Sequence, residues 1–135
     1  MIRKIDCSIL TPEKTLYEGS VGFAVVQAHN GEMGFLYNHA PLVSELGIGE
    51  LRLRDENRTE YIVIEGGIVE ICKNRMIVIA ENAYRKSELD SADIEKKLKE
   101  LEVLKEKETK PFSNEKFLIQ LEEKKLKVRL KVANR

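Results

Sequence analysis

Near Ser87 the spacing of apolar residues changes from two to three or four, and no single regular element accommodates both periods. Upstream, Ile5, Cys7 and Ile9 alternate with Lys4, Asp6 and Ser8. Val21, Phe23 and Val25 continue the alternation, followed by Leu51 and Leu53, Ile62 and Ile64, and Met76, Val78 and Ala80. Side chains on a strand point to opposite faces in turn, so each run predicts a strand with one buried face. Turn chemistry separates the runs at Thr11-Pro12, His29-Asn30-Gly31, Asp55-Glu56-Asn57, Gly66-Gly67 and Lys73-Asn74. Many short strands with close turns predict a sandwich or barrel.

Downstream, Ile94, Leu98, Leu101 and Leu104 recur at helical spacing with Glu and Lys between them, which predicts an amphipathic helix of four or five turns. Ser87 or Asp90 supplies its N-cap, and Glu88, Asp90 and Asp93 suit the positive end of the helix dipole. Pro111 disfavours helical geometry at Lys110 and ends the helix, and Ser113 is placed to cap a second one. In that second segment Leu118, Leu121, Val128 and Val132 form a helical stripe, with Lys125 laying its stem along it. The run Leu126–Val132, "LKVRLKV", also alternates as a strand would, so periodicity alone leaves both forms open. The change of period divides the chain into residues 1–86 and 87–135.

Charge excludes one broad class. The 23 Lys and Arg balance 23 Asp and Glu, which argues against a generally basic nucleic-acid binder. The balance is global and not local, because residues 114–135 carry seven Lys and Arg against three Glu. That tail is either a solvated face or a basic arm aimed at an acidic partner. No apolar run is long enough to span a membrane, and the start "MIRKIDCSILTP" has neither a signal-peptide core nor a transit-peptide composition. Cys7 and Cys72 stand 65 positions apart inside apolar runs, which predicts buried reduced thiols, no metal box and a reducing compartment.

Catalytic patterns are poorly represented. His39 is a conceivable base with Ser44 nearby, but no nucleophile elbow surrounds them. "GIGELR" from Gly47 lacks the third glycine of a dinucleotide loop and the Lys-Ser/Thr of a phosphate loop. His29 and His39 have no Cys or carboxylate at metal-ligand spacing, and the tail lacks the aromatics that single strands stack upon.

The stretch Gly31–Val43, "GEMGFLYNHAPLV", with "GELRL" after it, resembles the signature of the epsilon-subunit family of the proton-translocating ATP synthase. Gly31, Met33, Gly34, Leu36, Asn38, His39, Ala40, Pro41 and Leu42 match it, as do Gly49, Leu51 and Arg52. "ILTPEKTLYEGSV", "EGGIVEI" and "MIVIAENAYRKSELD" are similar to other family segments, in order, and Arg129–Ala133 is similar to its last turns. The resemblance implies an N-terminal antiparallel β-sandwich (1–86) followed by a C-terminal two-helix hairpin (87–135). It implies a non-catalytic part of the rotor that couples proton-driven rotation to ATP synthesis, with no catalytic residue and no resident cofactor or metal. Its partners would be the gamma subunit, the membrane ring and acidic loops of the catalytic beta subunits. It would bind no nucleic acid and reach the membrane only through the complex, at the cytoplasmic face of a bacterial cell or the stromal face of a thylakoid. Glu32, Met33, Tyr37, Asn38, His39 and Pro41 would form the docking loops, Glu32 toward the ring and His39 toward gamma. The hairpin would inhibit ATP hydrolysis through Lys124, Lys125, Lys127 and Arg129.

Two departures matter. Tyr37 stands where the family usually has proline. ATP-binding members carry I/L-D-x-x-R-A at the helix start and two spaced arginines in the second helix; here Leu89, Asp90, Lys125 and Arg129 keep the frame, but Asp93 replaces the first arginine and Ile94 the alanine. A carboxylate in place of a guanidinium removes a phosphate fork and adds repulsion, so ATP is not expected as a regulatory ligand. Two rivals stand beside the resemblance: a small hydrolase built on His39, and a free-standing module that recruits an acidic protein or nucleic acid through its tail.

Overall fold

Backbone hydrogen bonding divides the chain much as the periods do. The structure, a computed structural model, describes residues 3–108, 110 and 113–135. It falls into two compact units, Met1–Arg85 and Lys86–Arg135. The first holds seven strands: β1 (Ile5–Leu10), β2 (Thr15–Val21), β3 (Phe23–Ala28), β4 (Gly31–Phe35), β5 (Leu42–Asp55), β6 (Arg58–Cys72) and β7 (Arg75–Arg85). They hydrogen-bond in the order β2-β1-β7-β6-β5-β3-β4. Every pair is antiparallel except β1 with β7, which run parallel.

Seven strands bonded in one continuous order make a sandwich because the three longest strands bend. In β6 the core residues are Ile62 and Ile64 before Gly66-Gly67, then Val69 and Ile71 after it, so the buried face changes from even to odd positions. The same change occurs in β7 between Ala80 and Ala83, and in β5 between Leu46 and Leu51. The three changes lie side by side, since Gly47 falls opposite Gly66 and Gly66 opposite Glu81 in registers that are otherwise unbroken. At this corner Gly66 has φ +82° and Gly67 φ +143°, a region open to glycine and strained for side chains. Sequence reading places a turn at Gly66-Gly67. The structure corrects this to a bend inside a 15-residue strand, and the runs on either side are one element.

The core joins Ile5, Cys7, Ile9, Phe35, Leu51, Leu53, Ile62, Ile71 and Met76 with their neighbours from both layers. One expected strand face is reversed. Val21 is buried, but in β3 the cluster takes Ala24 and Val26 rather than Phe23 and Val25. Phe23 instead lies over Gly34 of β4, where an added Cβ would sit 3.0 Å from the ring. Cys7 is fully buried and Cys72 half-buried, both as free thiols; burial pushes the Cys7 thiol up to about 12, so it is inert at neutral pH.

The second unit opens with a 3-10 turn, Lys86–Glu88, and contains α1 (Ser91–Lys107) and α2 (Asn114–Ala133). Asp90 caps α1, its carboxylate accepting from the N–H groups of Ala92 (3.1 Å) and Asp93 (3.3 Å). Ser87 lies in the preceding turn. Ser113 caps α2 by accepting from the Lys116 N–H at 3.1 Å. The break expected at Pro111 lies outside the described residues. The "LKVRLKV" run is helical. The helices are antiparallel, because Lys105 of α1 pairs with Glu123 of α2 while Lys86 donates to the carbonyl of Arg135. The expected apolar stripe of α2 holds at Val132, which is buried, and fails at Leu118, which is 60% exposed; Leu126, outside that stripe, is buried as well. In α1, Ile94 is buried and Leu104 is exposed.

Candidate functional site

The residues singled out in Gly31–Val43 fall on the β3–β4 hairpin and the β4–β5 loop, at one edge of the sheet. A two-residue turn at His29-Asn30 closes the hairpin, and Gly31 follows with φ +117°. Glu32 then projects from the edge strand with its side chain 55% exposed. It is not a lone carboxylate. The Arg52 guanidinium donates Nη1 to Oε1 and Nη2 to Oε2, each at 3.2 Å, in a fork-to-fork pair. Arg52 also stands 3.6 Å from Oε1 of Glu50, a buried residue. Glu32 therefore presents an ion pair at the edge, with an orientation fixed from β5.

The β4–β5 loop is held by a turn 36 positions further along the sequence. Asn38 takes φ +65°, a region asparagine tolerates better than most residues. Its N–H donates to Oδ1 of Asn74 at 2.6 Å, and Nδ2 of Asn74 donates back to Oδ1 of Asn38 at 3.3 Å. Asn74 belongs to the β6–β7 turn, where Lys73 and Asn74 both have positive φ, and its carbonyl accepts from the N–H of Asp6 at 2.9 Å. One turn thus ties the loop to β1. The His39 N–H donates to the Leu36 carbonyl at 3.1 Å. The His39 ring meets Phe35 edge-on, 4.9 Å between centroids at 72°, and its Nδ1 lies 2.6 Å from the Ala40 carbonyl oxygen. Ser44 donates instead to the Glu45 carbonyl at 3.2 Å. The His39–Ser44 pair weighed from sequence is therefore not assembled, and the histidine is a braced part of a loop. Met33 packs against the core, while Tyr37, Asn38 and Pro41 are exposed along the loop.

Sequence reading missed an apolar surface on the layer that contains β1 and the first half of β7. Leu10, Ile79 and Ile68 are direct cross-strand neighbours on β1, β7 and β6. Ile79 is 57% exposed, Ile68 47%, and Val43 on β5, close to the loop, 66%. A signal was present in "MIVIA", where Ile77 and Ile79 make the outward positions of β7 apolar as well as the inward ones. A strand apolar on both faces is one whose second face is meant to be covered.

In the helical unit the four expected cations separate. Lys124 and Lys127 share an exposed stripe with Lys131, which sequence reading had not included, and with Gln120 and Val128. Lys125 and Arg129 lie roughly 100–140° round the axis from Lys124, and both are half-buried. Lys127 pairs with Glu123 at 2.9 Å, and Lys105 reaches the same carboxylate at 3.6 Å. The hydrogen bond from Lys127 is the main cause holding the Glu123 carboxyl below its ordinary range. Of the degenerate nucleotide frame, Asp90 is engaged as the α1 cap, and Asp93 pairs with Lys97 at 3.1 Å where an ATP-binding member has arginine. The described residues contain no group of His, Cys, Asp and Glu that could hold a metal ion.

Comparison with known proteins places this geometry. Residues 4–86 match the family model of the ATP synthase, Delta/Epsilon chain, beta-sandwich domain. The ATP synthase epsilon chain of Leptospira borgpetersenii serovar Hardjo-bovis (strain JB197) is 36% identical over 132 residues, 98% of this chain and 97% of that one. The chain belongs to the ATP synthase epsilon-chain family. The epsilon chain of Leptospira interrogans serogroup Icterohaemorrhagiae serovar copenhageni (strain Fiocruz L1-130) is 38% identical with the same coverage, 98% and 97%. Among solved structures, a chain in the cryo-EM structure of the Euglena gracilis mitochondrial ATP synthase, OSCP/F1/c-ring in rotational state 1, shares the fold. Its TM-score is 0.83 at 19% identity, covering 100% of this chain and 84% of that one. The β4–β5 loop and the apolar row thus lie within the family's matched sandwich domain, and the basic stripe lies in the hairpin that follows it.

Proposed function

We propose that this epsilon-family chain is a non-catalytic rotor subunit whose sandwich docks on the gamma shaft and the membrane ring, and whose helical hairpin restrains ATP hydrolysis. The observation that carries the docking half is the apolar row Leu10–Ile79–Ile68, exposed at Ile79 and Ile68 and half-buried at Leu10, with Val43 leading from it to the braced β4–β5 loop. Isoleucines held flat on a rigid sheet lose little entropy when covered, so such a row suits a permanent partner. Glu32, presented by Arg52 at the hairpin edge, is the contact we assign to the ring. The family relatives named above are bacterial. No helix among the described residues is long and apolar enough to cross a membrane. Both observations support a peripheral position, held at the cytoplasmic face of the membrane by the rest of the complex.

The row gives a direct test. An Ile79→Lys chain keeps its core, because Ile79 points outward, and is expected to stop co-purifying with gamma and the catalytic head. Co-purification at the level of the unaltered chain would reject this face as the docking surface.

The inhibitory half is supported by the stripe of Lys124, Lys127 and Lys131 on α2, which suits acidic loops of the catalytic subunits. Exposed charges act through solvent and are screened within about 10 Å at 0.1 M salt. Changing Lys124, Lys127 and Lys131 together to Gln is expected to weaken inhibition of ATP hydrolysis, with the difference from the unaltered chain shrinking as salt rises. Inhibition by the altered chain that matches the unaltered one at both low and high salt would discard the electrostatic contact.

A further inference from the structure

The loop that holds His39 fixes more than a position. A carbonyl oxygen can only accept, so the 2.6 Å contact between His39 Nδ1 and the Ala40 carbonyl places the ring proton on Nδ1. A neutral imidazole carries one N–H, which leaves Nε2 as an acceptor. Among the described residues no buried side-chain nitrogen or oxygen lacks a partner, and none of those residues partners Nε2 of His39. Nε2 therefore reaches the surface. Its direction is set by the bond from Nδ1 to the Ala40 carbonyl and by the edge-on contact with Phe35, which is fully buried, on a loop that the Asn38–Asn74 clasp ties down. Leu36 and Tyr37, exposed at 58% and 38%, flank it on the same loop.

We propose that the β4–β5 loop offers His39 Nε2 to the shaft as a preorganised hydrogen-bond acceptor, so the shaft surface covering this loop carries an N–H or O–H donor within an apolar surround. This rests on the docking reading above and adds the chemistry that the partner must present. An acceptor held in place before binding loses little freedom in making its bond, and a partner without a donor would desolvate Nε2 for nothing in return. The loop is thus a point of specificity, and the apolar row beside it supplies area without direction.

Two measurements test it on the full chain. Long-range proton–nitrogen correlation spectra of the free chain at neutral pH are expected to show Nε2 of His39 unprotonated and Nδ1 protonated. The reverse tautomer would overturn the proposal whatever the chain binds. The second is affinity for the catalytic head and shaft complex depleted of its own epsilon chain. His39→Phe keeps a ring against Phe35 but removes the acceptor, and is expected to bind about tenfold more weakly, the scale of one hydrogen bond. His39→Gln returns an acceptor near the Nε2 position and is expected to recover most of that loss. Undiminished binding by the Phe variant, or equal losses in both variants, would overturn the proposal and leave docking intact. Failure of the unaltered chain to bind would remove the docking reading itself.

Discussion

A Gly67→Ala chain is expected to lose about 4 kcal/mol or more of stability, at the upper end of what one substitution does. The added Cβ would sit 2.2 Å from the Ile79 carbonyl oxygen and 2.8 Å from the Cα of Ala80. Both obstacles are backbone, so no side chain can rotate away, and the neighbouring strand must move. The residue would also be held at φ +143°, which costs a residue with a side chain a further 1–3 kcal/mol by the usual scale, on the order of other strained conformations. Gly47 supplies the control. It lies at the same corner, but an added Cβ there meets nothing within 4 Å and its φ is not positive. For a unit of this size the Gly67 variant should melt roughly 20 °C lower, and Gly47→Ala close to the unaltered chain. Equal thermal midpoints for the two variants would contradict the account of the corner.

A chain ending at Ser87, without residues 88–135, is expected to fold cooperatively and to release the restraint on hydrolysis. Every residue of the described core cluster lies between Ile5 and Ala83, so the truncation removes none of it. The buried apolar residues that go, Ile94, Leu126 and Val132, are outside that cluster. Complexes rebuilt with the shortened chain should hydrolyse ATP several-fold faster than those with the full chain, at equal occupancy by the sandwich. An unchanged rate would show that the hairpin is not the restraining part, and a broad, non-cooperative melt would show that the sandwich depends on it.

The sequence was most readable where one rule decided alone. Alternation at Ile5–Ile9, Leu51–Leu53, Ile62–Ile64 and Met76–Ala80 named core residues correctly because each run has one apolar face. It misread β3, where Val25 and Val26 are adjacent and the small Ala24 and Ala28 hold the inward positions, so larger residues outweighed the true face. Gly66-Gly67 has the composition of a turn, and only the pairing of Glu65 and Gly67 with β5 and β7 shows that the strand continues. In α2, Leu118 and Leu126 are equally apolar, and only tertiary placement separates the exposed one from the buried one. The β4–β5 loop was legible as a motif, but its support was not, because Asn74 lies 36 positions from Asn38 and carries no mark of that partnership. The basic tail was legible as charge; its division into a solvent stripe and a half-buried pair required the helix to be placed.

The bends in β5, β6 and β7 have a mechanical result. Two facing sheets held only by side chains could slide past each other under a sideways load, as a laminate fails at its glue line. Here three neighbouring strands cross from one layer to the other without a break, so relative slippage would have to stretch covalent backbone and unzip hydrogen-bonded ladders together. Load entering at one layer reaches the other along main chain, and a twisting force applied to this body turns it as a whole.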